Sequence, residues 1–134
     1  CRLVMTRVLP GLAEASMLEF GPAITEVQRI VGDHLAPAQG GRFASSRVAE
    51  VLAWLEGRGV HCVGQSSWGP TGFAMVDSES QAMEFVREAE VRWRERGLRF
   101  VIARGRNAPA SIEVHRLNND RSTVVPLRPI EGTG

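Results

Sequence analysis

The sequence predicts an α+β fold: a four-stranded antiparallel sheet with helices packed on one face. Three observations predict it. Apolar residues recur at steps of three and four in the first half of the chain and again between Ser78 and Gly97. Short apolar runs of strand character come in two pairs, around 60–76 and 98–115. The links inside each pair are too short for the crossover that parallel strands need, so the pairs read as hairpins.

The elements follow in order. Leu3, Val4, Val8, Leu9 and Leu12 fall mostly at helical spacing, and Pro10-Gly11 interrupts them, so the first helix (Arg2 to Ala13) is short or kinked. Met17, Phe20, Ile24, Val27 and Val31 then form a stripe that Ile30 and Leu35 extend, with Glu19, Glu26 and Arg29 on other faces. The run Ala36 to Arg42 has no period and two adjacent glycines, and reads as a loop. Ser45 or Ser46 caps a third helix that buries Val48, Val51, Leu52 and Leu55 and ends near Gly57 and Gly59. Val60 to Val63 and Phe73 to Val76 flank a glycine-rich turn as the first strand pair. Ser78 with Gln81 has the spacing of a capping box and opens a helix burying Ala82, Phe85, Val86, Ala89 and Trp93, closed by Gly97. Leu98, Phe100 and Ile102 alternate with Arg99 and Val101, and Ile112 and Val114 alternate with Glu113 and His115, giving a second pair joined through Gly105-Arg106-Asn107. Residues 1–117 thus form one α+β domain. From Asn118 onward the Asn-Asn-Asp run, Pro126, Pro129 and the closing Gly-Thr-Gly indicate a surface or frayed tail over 118–134.

At 134 residues the chain can bury an ordinary core without disulfides or a structural metal. Sixteen basic residues, all arginine, stand against 15 acidic ones for a net charge of +1, which gives no bulk field toward nucleic acid or a membrane surface. Two cysteines, Cys1 and Cys62, are too few for a disulfide framework, and Cys62 lies in an apolar run, so a reducing cytoplasm is the simpler setting. No apolar stretch approaches the roughly 18 residues of a membrane span, which indicates a soluble protein. The chain begins at Cys1 inside a segment that already reads as helix, as a piece of a longer protein would.

The densest chemical signal is Gly64-Gln65-Ser66-Ser67-Trp68-Gly69-Pro70-Thr71-Gly72-Phe73. Ser66, Ser67 and Thr71 present hydroxyls, Gly69 and Gly72 let backbone approach a ligand, and such a loop suits a phosphate or carboxylate. The same residues also suit a tight hairpin whose hydroxyls satisfy local backbone. Trp68 at a turn tip needs a surface to pack on, either protein or an aromatic substrate. Gln39-Gly40-Gly41-Arg42 is the second candidate: Arg42 beside two glycines could clamp an anion or stand solvated in an interhelix turn. Arg104, Arg106 and Asn107 read as a solvated turn or as a face toward a phosphorylated ligand. His34, His61 and His115 have no metal-ligand spacing among themselves or with Cys62, so no metal site is expected, and no Ser-His-Asp or paired-carboxylate pattern is present.

On these residues the chain resembles the C-terminal part of the GHMP kinase superfamily, whose third motif is a Ser-Gly-Ala-Gly-Pro-Thr type loop. Ser66-Ser67-Trp68-Gly69-Pro70-Thr71 is similar to that motif, with Ser67 and Trp68 in place of the Gly-Ala pair. The departure is similar to the β-ribofuranosylaminobenzene 5′-phosphate synthases of tetrahydromethanopterin biosynthesis, as are Pro37 to Arg42 and Ala103 to Asn107. The resemblance covers most of Cys1 to Arg116. It implies a ferredoxin-like arrangement, a missing N-terminal domain that carries the phosphate loop, and possible homodimers. It also implies a reaction joining phosphoribosyl pyrophosphate to 4-aminobenzoate or 4-hydroxybenzoate, with loss of CO2 and pyrophosphate, and Mg2+ on the pyrophosphate. By that resemblance the substrate-binding residues are Ser66, Ser67, Trp68, Gly69, Thr71, Gly72, Gln39 and Arg42, and the catalytic residues are not identified. Two other classes stay open, a small-molecule kinase of the same superfamily and a non-catalytic α+β binding or dimerisation module.

Overall fold

The structure, a computed structural model, describes residues 1–66, 69–105, 113–116 and 123–126. The chain divides into two compact units, Cys1–Ile102 and Ala103–Gly134. In the first, a π-helical turn (Val4–Val8) runs into α1 (Leu9–Ala13), followed by α2 (Met17–Gln39), α3 (Ser46–Gly57), β1 (Cys62–Gln65), β2 (Gly72–Met75) and α4 (Glu79–Arg92). The second contains β3 (Glu113–Arg116) and β4 (Thr123–Pro126).

Local chemistry sets most of these bounds. The interruption expected at Pro10-Gly11 takes the form of a π widening just before Pro10, which has no N–H to donate and whose ring crowds the carbonyl four residues back. Ser16 caps α2, its hydroxyl accepting from the Glu19 N–H at 3.3 Å. Ser45, not Ser46, caps α3 by accepting from Val48 N–H at 3.3 Å, and Ser78 caps α4 by accepting from Gln81 N–H at 3.2 Å. The segment after Leu35 departs from expectation: 36–39 are helical, because Pro37 costs its missing bond only in the last turn of α2. That helix ends at Gly40, which is left-handed at φ 81° and returns its N–H to the Ala36 carbonyl.

The core of the first unit lies between α3, α4 and the β1–β2 hairpin, where Val51, Leu52, Leu55, Val60, Val63, Ala89 and Trp93 are buried together. Phe43, Val48, Trp54, Val76, Phe85, Leu98 and Phe100 pack around them. Trp54 meets Phe85 and Trp93 edge to face, with ring centroids 5.8 and 5.3 Å apart. Arg58 lies over Trp54 and Phe85 and is forked onto Glu88, whose carboxyl it holds below the usual carboxylate range.

The expected four-stranded sheet is not formed. Among the described residues β1 pairs only with β2, antiparallel, with Cys62 opposite Met75 and Gln65 opposite Gly72; β3 pairs with β4, with Glu113 opposite Pro126 and Arg116 opposite Thr123. The physical reason lies on the other edge of β1, where helix α2 takes the place of a strand. The Thr25 hydroxyl accepts the Val63 N–H at 2.9 Å and donates to the His61 carbonyl at 2.7 Å, and the Gln28 side-chain oxygen accepts the Gln65 N–H at 3.1 Å. With those groups satisfied, that edge has no ladder to offer. Leu98 and Phe100 pack on the core by side chain while Arg99 and Val101 stay exposed, so the expected alternation holds over 98–101; Ile102, expected on the core side, is also exposed, and 98–102 does not pair as a strand. The link Arg106-Asn107 and Ile112 lie outside the described residues, and β4 falls within the segment expected as a tail.

The buried positions of α2 are also not the expected ones. Gly21, Ala23, Thr25 and Gly32 are buried, whereas Ile30 and Val31 are 60% and 48% exposed. Small residues bring the helix close: a β-carbon added at Gly21 would lie 3.2 Å from the Cys62 β-carbon. The closeness seals Cys62, which is 1% exposed, and burial pushes its thiol pKa up. Native protein is therefore expected to react with an alkylating reagent at exposed Cys1 alone, and at Cys62 only after denaturation. Two modified cysteines in the native state, counted by intact mass, would contradict this packing.

Candidate functional site

The site is built where the C-terminal end of α2, the segment leading to α3, and the β1–β2 hairpin come together. Ser66 donates its N–H to the Thr71 carbonyl at 2.8 Å, which closes the base of the hairpin. Ser66 and Thr71 are exposed there, while Ser67 and Trp68 lie outside the described residues. The two glycines differ. Among the described residues a β-carbon at Gly69 would meet only the Ser66 oxygen at 3.8 Å and the Thr71 nitrogen at 4.0 Å, ordinary contacts. One at Gly72 would lie 2.5 Å from Val48 Cγ1, so Gly72 lets β2 press against α3.

Arg42 and Gln39 stand on the neighbouring segment. Arg42 is forked onto Asp33 of α2, Nε to Oδ1 at 2.7 Å and Nη2 to Oδ2 at 3.1 Å. Each partner stabilises the other's charge: the fork holds the Asp33 carboxyl below the usual carboxylate range and the Arg42 guanidinium above its own. Arg42 is therefore not a loose cation: its Nε and Nη2 are committed to Asp33. Gln39 donates from Nε2 to the Arg42 carbonyl at 2.9 Å, which shapes the turn through Gly40 and Gly41. Gly32 makes room for that turn, since a β-carbon there would lie 2.5 Å from the Arg42 carbonyl oxygen.

Gln65 joins the two candidate segments. It is buried at 8% exposure, accepts the Ala44 N–H on its side-chain oxygen at 2.7 Å, and donates from Nε2 to Gln39 at 3.4 Å. Sequence reasoning placed Gln65 at the mouth of the loop without giving it a role, and missed Gln28 and Asp33. The usable signal was the spacing of Gly21, Thr25, Gln28 and Gly32 by fours and threes, a second, non-apolar face of the same helix.

Two shallow grooves elsewhere lie along α4. One, of about 410 Å³, runs by Trp54, Arg87 and Val91, and the other, of about 460 Å³, by Trp93, Arg94, Arg99 and Phe100. Neither includes a residue of the two candidate segments. Among the described residues no three His, Cys, Asp or Glu side chains gather to hold a metal ion, and both oxygens of Asp33 are engaged by Arg42. The donors described at this site do not fit a protein-held Mg2+. Among the described residues no helix is long and apolar enough to cross a membrane.

A helical α+β domain with a motif-bearing hairpin against a helix end is the class these features define, and a family profile described as GHMP kinases C terminal matches residues 8–93. The chain belongs to that family. It is also similar to the β-ribofuranosylphenol 5′-phosphate synthase of Archaeoglobus fulgidus, 29% identical over 118 residues, which cover 85% of this chain and 34% of the relative. The chain thus spans about a third of the length of that relative. No solved structure matches it.

Proposed function

We propose that this chain is the C-terminal domain of a cytoplasmic synthase that condenses phosphoribosyl pyrophosphate with 4-hydroxybenzoate or 4-aminobenzoate, in tetrahydromethanopterin biosynthesis. The observation that carries the reading is the union, through Gln65, of the two segments that resemble the synthases, Pro37 to Arg42 and Gly64 to Phe73. The name of the Archaeoglobus fulgidus relative supports it, since loss of CO2 from a ribosylated hydroxybenzoate leaves a ribofuranosylphenol.

In this reaction the bond from the anomeric carbon to pyrophosphate breaks, and pyrophosphate leaves with the electron pair. The ring carbon bearing the carboxylate supplies a π pair to form the new carbon–carbon bond. The carbon–carboxylate bond then breaks, its pair returns to the ring, and CO2 departs. The residues here have work on either side of that exchange. Hydroxyls and amides at Ser66, Ser67, Gly69 and Thr71 would hold anionic oxygen, and Trp68 would cover the aromatic ring and keep water from the ribosyl cation. Arg42 would meet a phosphate or the carboxylate with the face that Asp33 leaves open. Mg2+ would arrive on the pyrophosphate as part of the substrate.

Full-length enzyme carrying this chain, given phosphoribosyl pyrophosphate, Mg2+ and carboxyl-labelled 4-hydroxybenzoate or 4-aminobenzoate, is expected to release labelled CO2. The chain by itself is expected to release none. Phosphorylation of a small alcohol by ATP, with no CO2 from either acid, would move the assignment to a kinase.

A further inference from the structure

We infer that Gln65 is a positioning residue that locks the Arg42 segment to the hairpin through a polarised chain of amides, an inference that rests on the synthase reading of the same loops. The polarity has a fixed origin. The Ala44 N–H can only donate, so Gln65 must turn its Oε1 to it, at 2.7 Å. That leaves Gln65 Nε2 pointing to Gln39, which must answer with its own Oε1, at 3.4 Å. Gln39 Nε2 is then committed to the Arg42 carbonyl, at 2.9 Å. Arg42 is held at both ends, its carbonyl by Gln39 and its guanidinium by the Asp33 fork.

The anchor of this chain is rigid. Gln65 is buried at the last position of β1, and its N–H is held by Gln28 on α2 at 3.1 Å. One residue thereby ties β1, α2 and the segment before α3 into a fixed spacing, and Ser66 follows it directly. An anion that spans the hairpin and Arg42 meets donors already set at their distance, which lowers the ordering cost of binding. The side chain must be an amide for this. A carboxylate at 65 still accepts from Ala44 but has no donor for Gln39; Gln39 must flip, and its oxygen then faces the Arg42 carbonyl.

The test compares Q65E and Q65L in the full-length enzyme carrying this chain, with inorganic pyrophosphate and Mg2+ as the calorimetric probe. Amide exchange over 41–45 is read by mass spectrometry, and the condensation is assayed alongside. Q65L is expected to speed exchange at Ala44 tenfold or more and to weaken pyrophosphate tenfold or more. Q65E is expected to keep Ala44 protected yet lose the same pyrophosphate affinity. Unchanged pyrophosphate affinity in both variants overturns the inference, as does wild-type enzyme that binds no pyrophosphate. If the wild type binds pyrophosphate, both variants weaken it and none of the three proteins condenses the substrates, the inference stands and the synthase reading falls. If condensation proceeds with Q65E and Q65L at wild-type pyrophosphate affinity, the synthase reading stands and the inference falls.

Discussion

Replacing Trp93 by alanine is expected to cost about 3–5 kcal/mol of folding stability, the usual range for emptying a buried tryptophan site. Trp93 is 5% exposed, caps the C-terminal end of α4, and is buried in one cluster with Leu52, Leu55, Val63 and Ala89, against the edge of Trp54. Its neighbours come from α3, β1 and α4, which cannot all collapse into one hole. The cation–π contact from Arg92 adds about 0.5–1 kcal/mol at most, because that guanidinium is at the surface. Trp54→Ala is expected to cost less, since Trp54 is only half-buried and part of its surface faces Arg58 rather than the core. Urea unfolding with an unchanged slope would measure both. A Trp93→Ala midpoint within experimental scatter of wild type would show that the core described here does not hold the unit together.

The residues around Trp93 are those the sequence makes legible. Val51, Leu52 and Leu55 on α3 and Ala89 and Trp93 on α4 are apolar at helical spacing, and each helix announces its start with a serine that does cap it. The same reasoning misleads on α2, because periodicity weighs a residue by its hydrophobicity and close approach depends on its absence of bulk. Gly21 and Thr25 carry little apolar signal, yet they bring the helix to β1 and let Thr25 and Gln28 take over the hydrogen bonds of a neighbouring strand, while Gly32 makes room for the Arg42 turn. The four-stranded expectation failed at that edge. Alternation in 98–101 reports which side chains turn toward the core and fails at exposed Ile102, and alternation alone cannot say whether the backbone finds a partner.

The candidate site divides along the same line. Arg42 and Gln39 stand out in sequence beside two glycines, and the run from Ser66 to Gly72 stands out by its small residues. The groups that organise them, Asp33, Gln28 and Gln65, do not, because a polar residue on a helix or strand looks alike in sequence whether it faces water or a buried amide. A motif residue can also owe its smallness to packing, as Gly72 does against Val48, whereas packing among the described residues does not demand a glycine at 69.

Gly72→Val is expected to destabilise the first unit by about 1–3 kcal/mol or more through overpacking. The first added carbon already falls 2.5 Å from Val48 Cγ1, so either β2 moves off α3 or Val48 leaves its rotamer. Among the described residues the β-carbon of Gly69→Val meets nothing closer than 3.8 Å and the backbone there is not left-handed, so its stability is expected to stay within about 0.5 kcal/mol of wild type. On the synthase reading the same substitution stands where the ligand must approach backbone, and condensation should fall about tenfold or more, a transition-state loss of about 1.4 kcal/mol. Thermal melts and CO2 release from both variants of the full-length enzyme give four numbers. A stable Gly69→Val protein with full activity would remove Gly69 from the site. A Gly69→Val protein that loses stability and activity together would assign the glycine to the turn. A Gly72→Val protein that melts with wild type would refute the packing of β2 on α3.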